Sequence, residues 1–211
     1  MTALAPRFSA LVRRLGGQPD AGAAAEALLS AWNDPSRRYH GANHLADCLA
    51  QLDGLPGAPP DRDLVEAALW FHDAVYDPRA HDNEARSAEW ARRVLGELGI
   101  PTPVSEEVAR LVQLTAHAVP PADPAGRLVC DVDLSILGRT AEEYDAYAER
   151  IRAEYAWVPE PAYRAGRREV LARLLARDPL YGTDYFRRRY EIPARRNLER
   201  ELHNLGSSER V

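Results

Sequence analysis

The 211-residue sequence contains no lysine: all 27 of its basic residues are arginines. That absence excludes a Walker-type phosphate loop, a Schiff-base lysine and any lysine nucleophile or base, and it makes every phosphate clamp a guanidinium. Cysteine is almost as scarce. Cys48 and Cys130 lie far apart and form no CxxC pair, so neither a disulfide framework nor a cysteine-based zinc site is expected, and a reducing cytoplasm is the expected location. No stretch approaches the about eighteen apolar residues of a membrane span. The opening MTALAPRFSALVRRLGG lacks the organisation of a secretory signal. GxGxxG and GxSxG are both missing, which removes the usual signatures of dinucleotide binding and serine hydrolysis. With 32 acidic residues and a net charge of −5, nucleic acid is not expected as a partner.

What remains is an ordinary globular composition, 45% hydrophobic and 28% charged, in which helical periodicity dominates and strand alternation is nearly missing. Helices are expected over Ala5 to Leu15, Ala21 to Trp32, Asn43 to Asp53 and Asp61 to Val75, with a Pro/Gly-rich break from Gly54 to Pro60. A fifth, capped at Asp82, should end at Gly99, and a sixth should cover Ser105 to Ala118 before Pro120 and Pro121. After a short segment near Leu128 to Leu137, Thr140 and Glu143 form a capping box for a helix through Trp157. Helices over Pro161 to Arg177 and Pro193 to Asn204 complete the chain. No linker is long enough to separate domains, so the expectation is a single all-α domain over residues 1–211.

The histidines and acids are unevenly placed. YHGANH puts His40 and His44 four residues apart, on one side of a helix if it begins by residue 40. His44 shares an i, i+4 stripe with Cys48 and Leu52 at the border of the apolar face. His72 and Asp73 follow the apolar run LVEAALWF, and a buried Asp73 needs a compensating charge. Two burial-prone histidines beside a carboxylate point to a metal ion as that charge. CDVDLSILG adds Asp131 and Asp133, of which one at most should face the same ion. Imidazoles with carboxylates favour a single divalent transition metal, Mn²⁺, Fe²⁺, Zn²⁺, Co²⁺ or Ni²⁺, with Mg²⁺ as a further candidate.

His44, then His72-Asp73, then a distant Asp133 resembles the H…HD…D signature of the HD-domain metal-dependent phosphohydrolase superfamily. YHGANHL is similar to the corresponding segment of cyclic-nucleotide phosphodiesterases, and VDLS to their ADLS. FHDAVYDP, DNEARSAEWA, DVDLSILG and EIPARRNLEREL resemble a bacterial group of HD-type hydrolases, over about residues 37 to 202. The resemblance implies an HD-type helical bundle with a core at about 37–140 and C-terminal helices over 141–205 packed on it. Its metal ligands would be His44, His72, Asp73 and Asp133, and His40 would protonate the leaving group. Two-metal members carry two further histidines before the last aspartate. Here only His81 and His117 lie there, and His81-Asp82 reads as a capping segment, so one ion is the simpler expectation.

The expected activity is hydrolysis of a phosphate ester, a nucleotide or another small phosphorylated metabolite. An HD-type iron oxygenase and a non-catalytic metal- or nucleotide-binding module are the alternatives. Asp77, one helical turn after Asp73, either reaches the attacking water or a ligand imidazole, or caps a turn at Pro78. Arg37, Arg38 and Arg86 are candidate phosphate clamps, Asn83 and Ser87 candidate pocket residues, and His117 either a metal or substrate contact or a helix-end histidine. Glu191, Arg195, Arg196, Asn197 and Glu201 read as a solvated helix face, or else as an inter-helix clamp or a homo-oligomer contact.

Overall fold

The computed structural model describes residues 4–57, 59 and 61–207, which contain ten α-helices, one 3-10 segment and no strand. The chain is all-α. Ala58 and Pro60, part of the expected Gly54–Pro60 break, lie outside the described residues. Two compact units divide the chain between Asp133 and Leu134.

The first unit contains α1 (Leu4–Arg14), α2 (Gly22–Trp32), α3 (Ala42–Asp53), α4 (Arg62–Phe71), α5 (Asn83–Glu97), α6 (Thr102–Leu114) and α7 (Pro124–Asp133). Helix α4 is its hub and packs on α1, α3, α5, α6 and α7. The sequence explains this, because every residue from Val65 to Phe71 is buried and a helix apolar nearly all round must be enclosed. Phe8 of α1 meets Trp70 and Phe71 edge-on at centroid distances of 5.1 and 6.1 Å. Glu66 is the one charged residue in that buried run. Its two carboxylate oxygens accept from Arg7 Nε at 2.7 Å and Arg14 Nη2 at 3.0 Å, which supplies the partner charges that burial requires.

Two helices of this unit end earlier than periodicity alone predicts, and both stops shape the site. Helix α4 ends at Phe71, not near Val75. The backbone beyond it bonds elsewhere: Asp73 and Ala74 carbonyls accept from Arg37, and Val75 N–H and C=O pair with Ser87 Oγ. Helix α6 ends at Leu114, not Ala118. There Thr115 Oγ1 donates back to Val112 O at 2.7 Å, and His117 adopts the left-handed conformation, φ +53°, that a helix cannot contain. Asp82 stands at the N-cap of α5, but its side chain makes no capping bond.

The second unit comprises the 3-10 segment Leu134–Gly138, α8 (Ala141–Glu154), α9 (Glu160–Leu175) and α10 (Asp184–Ser207). The capping box forms as expected. Thr140 accepts from the Glu143 backbone, and Glu143 accepts from that of Thr140. Helix α10 starts nine residues before the expected Pro193 and carries that proline inside it. Tertiary packing overrides the proline. Phe186 and Tyr190, one turn apart and both buried, meet Tyr181 in an aromatic cluster, while Glu191 accepts from the Leu180 and Tyr181 N–H groups. The expectation of a solvated C-terminal face holds for the Glu191–Arg195 pair only in part. Asn197 is buried, donating to the Leu137 and Arg139 carbonyls, and Glu201 forms a forked pair with buried Arg167.

Gly138 is where α10 comes closest to the 3-10 segment. A Cβ there would stand 2.5 Å from Tyr190 Cβ and 2.8 Å from its carbonyl oxygen. Because the obstruction is largely backbone, Gly138→Ala is expected to destabilise the protein by about 2–3 kcal/mol. Urea denaturation measures it; an unchanged midpoint would show that the segment has room to yield.

Candidate metal centre

Three stretches of the first unit supply the site. His44 comes from the first turn of α3, His72 and Asp73 from the turn that closes α4, and Asp133 from the last residue of α7. The structure brings all four together. His44 Nε2 lies 3.0 Å from His72 Nε2 and 3.0 Å from Asp133 Oδ1. His72 Nε2 lies 3.2 Å from Asp73 Oδ2 and 3.5 Å from Asp133 Oδ1, and His44 Nε2 is 3.8 Å from Asp73 Oδ2.

These spacings fit a metal ion. Bonds of about 2.1 Å at octahedral or tetrahedral angles place neighbouring ligand atoms about 3.0–3.4 Å apart. The tautomer of His72 is fixed in the right sense: Nδ1 lies 2.9 Å from the Leu69 carbonyl, which can only accept, so Nδ1 donates and Nε2 faces the cluster. A neutral His72 then presents a lone pair to His44 Nε2, a contact that demands a proton or a cation between them. The buried group His44, Cys48, His72 and Asp133 has one donor atom from each residue within 4.8 Å of all the others.

The electrostatics describe the same demand. Burial opposes charge on His72, yet Asp73 and Asp133 outweigh it and hold the imidazole pKa well above the ordinary histidine value. Burial would likewise raise Asp73, but the charge and hydrogen bond of His72, aided by His40 and His44, hold it at about 2. For Asp133, burial is outweighed by hydrogen bonds to His117, His44 and His72, which keep its carboxyl well below the usual range.

Surrounding residues hold the donors still. Trp32, buried, donates from Nε1 to the Trp70 carbonyl at 2.9 Å and sets its ring 5.4 Å from that of His72, giving the site an apolar wall. Arg37 ties the two histidine segments together. Its Nη1 donates to the His40 and Asp73 carbonyls at 3.0 and 2.6 Å, and Nη2 donates to Ala74 O at 3.0 Å. The phosphate clamp expected of Arg37 is therefore a backbone clamp. His117 Nε2 lies 2.7 Å from Asp133 Oδ2, while Oδ1 of the same carboxylate lies 3.0 Å from His44 Nε2, so His117 fixes the orientation of Asp133.

Other expected site residues fall differently. Asn83 exchanges two hydrogen bonds with the Asp77 backbone, at 3.1 and 2.8 Å, and Ser87 does the same with Val75. Both are buried and hold the turn after Asp73. Asp77 is exposed and off the helix, because α4 has already ended. Its Oδ1 accepts from Arg79 N at 2.9 Å, so the turn-capping alternative is the observed one and the catalytic alternative loses its helical geometry. His40 precedes α3, which begins at Ala42, so the shared helical stripe with His44 does not exist. A turn nevertheless brings the two ring centroids to 5.8 Å, with His40 stacked on Tyr76 at 4.4 Å. Arg38 is exposed, and Arg86 pairs with Asp82 at 3.9 Å on the surface.

Sequence reasoning passed over one residue of the cluster. Cys48 was read as part of the apolar stripe, although its position one turn after His44 was the available signal. No protein-family model, curated protein or solved structure matches the chain. Among the described residues, no helix is long and apolar enough to cross a membrane.

Proposed function

We propose that the protein is a metal-dependent phosphohydrolase acting on a small phosphate ester such as a nucleotide or phosphorylated metabolite. The observation that carries the reading is the convergence of His44 and His72, whose Nε2 atoms lie 3.0 Å apart, on carboxylate oxygens of Asp73 and Asp133 at 3.0–3.8 Å. The resemblance of the same four residues to the HD signature supports it. A bound divalent transition ion would supply an activated water and polarise a phosphoryl oxygen.

The chain's own residues do the rest. His44 and His72 give neutral imidazole nitrogens, and Asp73 and Asp133 balance the ion's charge. Trp32 excludes water from one side, and Arg37 keeps the His40 turn registered against the His72-Asp73 turn. His40, half-buried beside His44, is the proton donor to the departing oxygen. Exposed Arg38, one residue before Tyr39-His40, is the guanidinium placed to meet the phosphate's remaining charge.

The test is a panel of phosphomonoesters, phosphodiesters and nucleotides offered to chelator-treated protein with Mn²⁺, Zn²⁺, Co²⁺, Ni²⁺, Fe²⁺ or Mg²⁺ restored. Phosphate release that needs the ion and drops at least about 100-fold in Asp73→Ala is expected. Stoichiometric ion binding with no turnover of any of these classes would overturn the hydrolase reading and leave a binding module.

A further inference from the structure

We propose that Cys48 joins His44, His72 and Asp133 as a thiolate ligand, so that the centre selects thiophilic divalent ions, zinc, cobalt and iron(II), over manganese and magnesium. The inference rests on the metal-centre reading above and names the class of ion that centre takes.

The argument begins with placement. Cys48 follows His44 by one turn of α3, and both are buried, at 2% and 4% exposure. The sulfur stands 3.8 Å from each ring nitrogen of His44, and its distances to the donor atoms of His72 and Asp133 stay within 4.8 Å. Bonds of about 2.3 Å to sulfur and 2.1 Å to nitrogen or oxygen place such a pair about 3.6 Å apart at the tetrahedral angle. The 3.8 Å approach to His44 already matches that spacing, and the separations of up to 4.8 Å close by about an ångström as an ion draws the donors in. The other cysteine behaves differently: Cys130 is also buried, but its Sγ donates to the Leu114 carbonyl at 3.4 Å.

A thiolate changes both the charge and the softness of the donor set. Asp73 and Asp133 already balance a divalent ion, so the thiolate adds one further negative charge, and a soft sulfur donor shifts preference toward ions that bind thiolate well. In the absence of an ion, burial and the neighbouring carboxylates of Asp133, Asp73 and Asp47 keep the thiol protonated. Coordination breaks the S–H bond as the sulfur–metal bond forms, and the proton passes to solvent; nothing is oxidised or reduced.

Cobalt reports the bond directly. Chelator-stripped protein titrated with Co²⁺ is expected to develop a near-ultraviolet sulfur-to-cobalt charge-transfer band that saturates at one ion per chain. Cys48→Ser and Cys48→Ala should lose that band while retaining visible cobalt absorption, and Cys130→Ser should keep it. In competition experiments the zinc-over-manganese preference should fall about 10-fold or more in both Cys48 variants. Cobalt bound without the band, or a band that survives in Cys48→Ser, overturns the thiolate assignment and leaves the metal centre standing. A wild-type protein that takes up no divalent ion overturns both. The wild-type spectrum decides the matter even if a variant fails to fold.

Discussion

His72→Ala is expected to lower the affinity for divalent ions at least about 100-fold, measured by calorimetric titration of chelator-stripped protein. Loss of His72 replaces an oriented imidazole donor by at best a weakly held water, and it also removes the imidazole that balances Asp73. A companion result concerns pH. In the ion-free protein the raised pKa of His72 means that its protonated form contributes stability below the ordinary histidine value. That contribution fades as pH rises through the raised folded-state value, where a bound ion takes over the proton's place. Chelation should therefore depress the melting temperature more at alkaline than at neutral pH, and less in His72→Ala at either. Equal depression across that range would mean that proton and ion do not compete for the same carboxylates.

Arg37→Ala is expected to cost about 3–5 kcal/mol and to weaken ion binding by loosening the two segments that it joins. One guanidinium satisfies the carbonyls of His40, Asp73 and Ala74 and also stands 5.6 Å from the ring centroids of Trp32 and Tyr76. Charge-assisted bonds to backbone contribute about 1.5–3 kcal/mol each, with losses overlapping because the carbonyls regain some water. Arg37→Lys should recover only a part, since an ammonium cannot reproduce the planar fork that reaches both chain segments. Guanidinium denaturation gives the stability and calorimetry the affinity. A loss under about 1 kcal/mol with unchanged ion binding would mean that the two turns are held by other contacts.

Much of this molecule is legible in its sequence, and the legible parts share a physical basis. The run from Val65 to Phe71 has almost no polar residue, and it became the enclosed hub. Thr140 and Glu143 are three residues apart and cap each other, because that bond is local. Histidine and aspartate beside apolar runs marked His72 and Asp73 as buried groups in need of a compensating charge and left Asp131 and Asp133 open; the structure sets Asp133 beside His72 and His44. His81-Asp82, an HD dipeptide in a polar setting, stayed exposed at the start of α5.

The misreadings have a common cause as well. Helical periodicity extends through Val75 and Ala118, but both helices stop about four residues sooner: Arg37 and Ser87 capture the backbone after α4, and the Thr115 turn and left-handed His117 end α6. The first stop dissolves the helical register of Asp77, and the start of α3 at Ala42 dissolves that of His40. Pro193 sits inside α10 for the converse reason, because aromatic packing around Tyr190 outweighs a local penalty of about 3 kcal/mol.

By itself, then, the sequence determined which segments are helical, which helix must be enclosed and that His72 and Asp73 lie buried together, since hydrophobic periodicity and the cost of burying charge are encoded residue by residue. Only the tertiary structure decided where helices stop, that Arg37, Asn83 and Ser87 serve the backbone, and that Cys48 and His117 stand at the centre. Most of those outcomes depend on groups far apart in the chain meeting, as Arg37 meets the Asp73 and Ala74 carbonyls and His117 meets Asp133, and local pattern carries no record of such meetings.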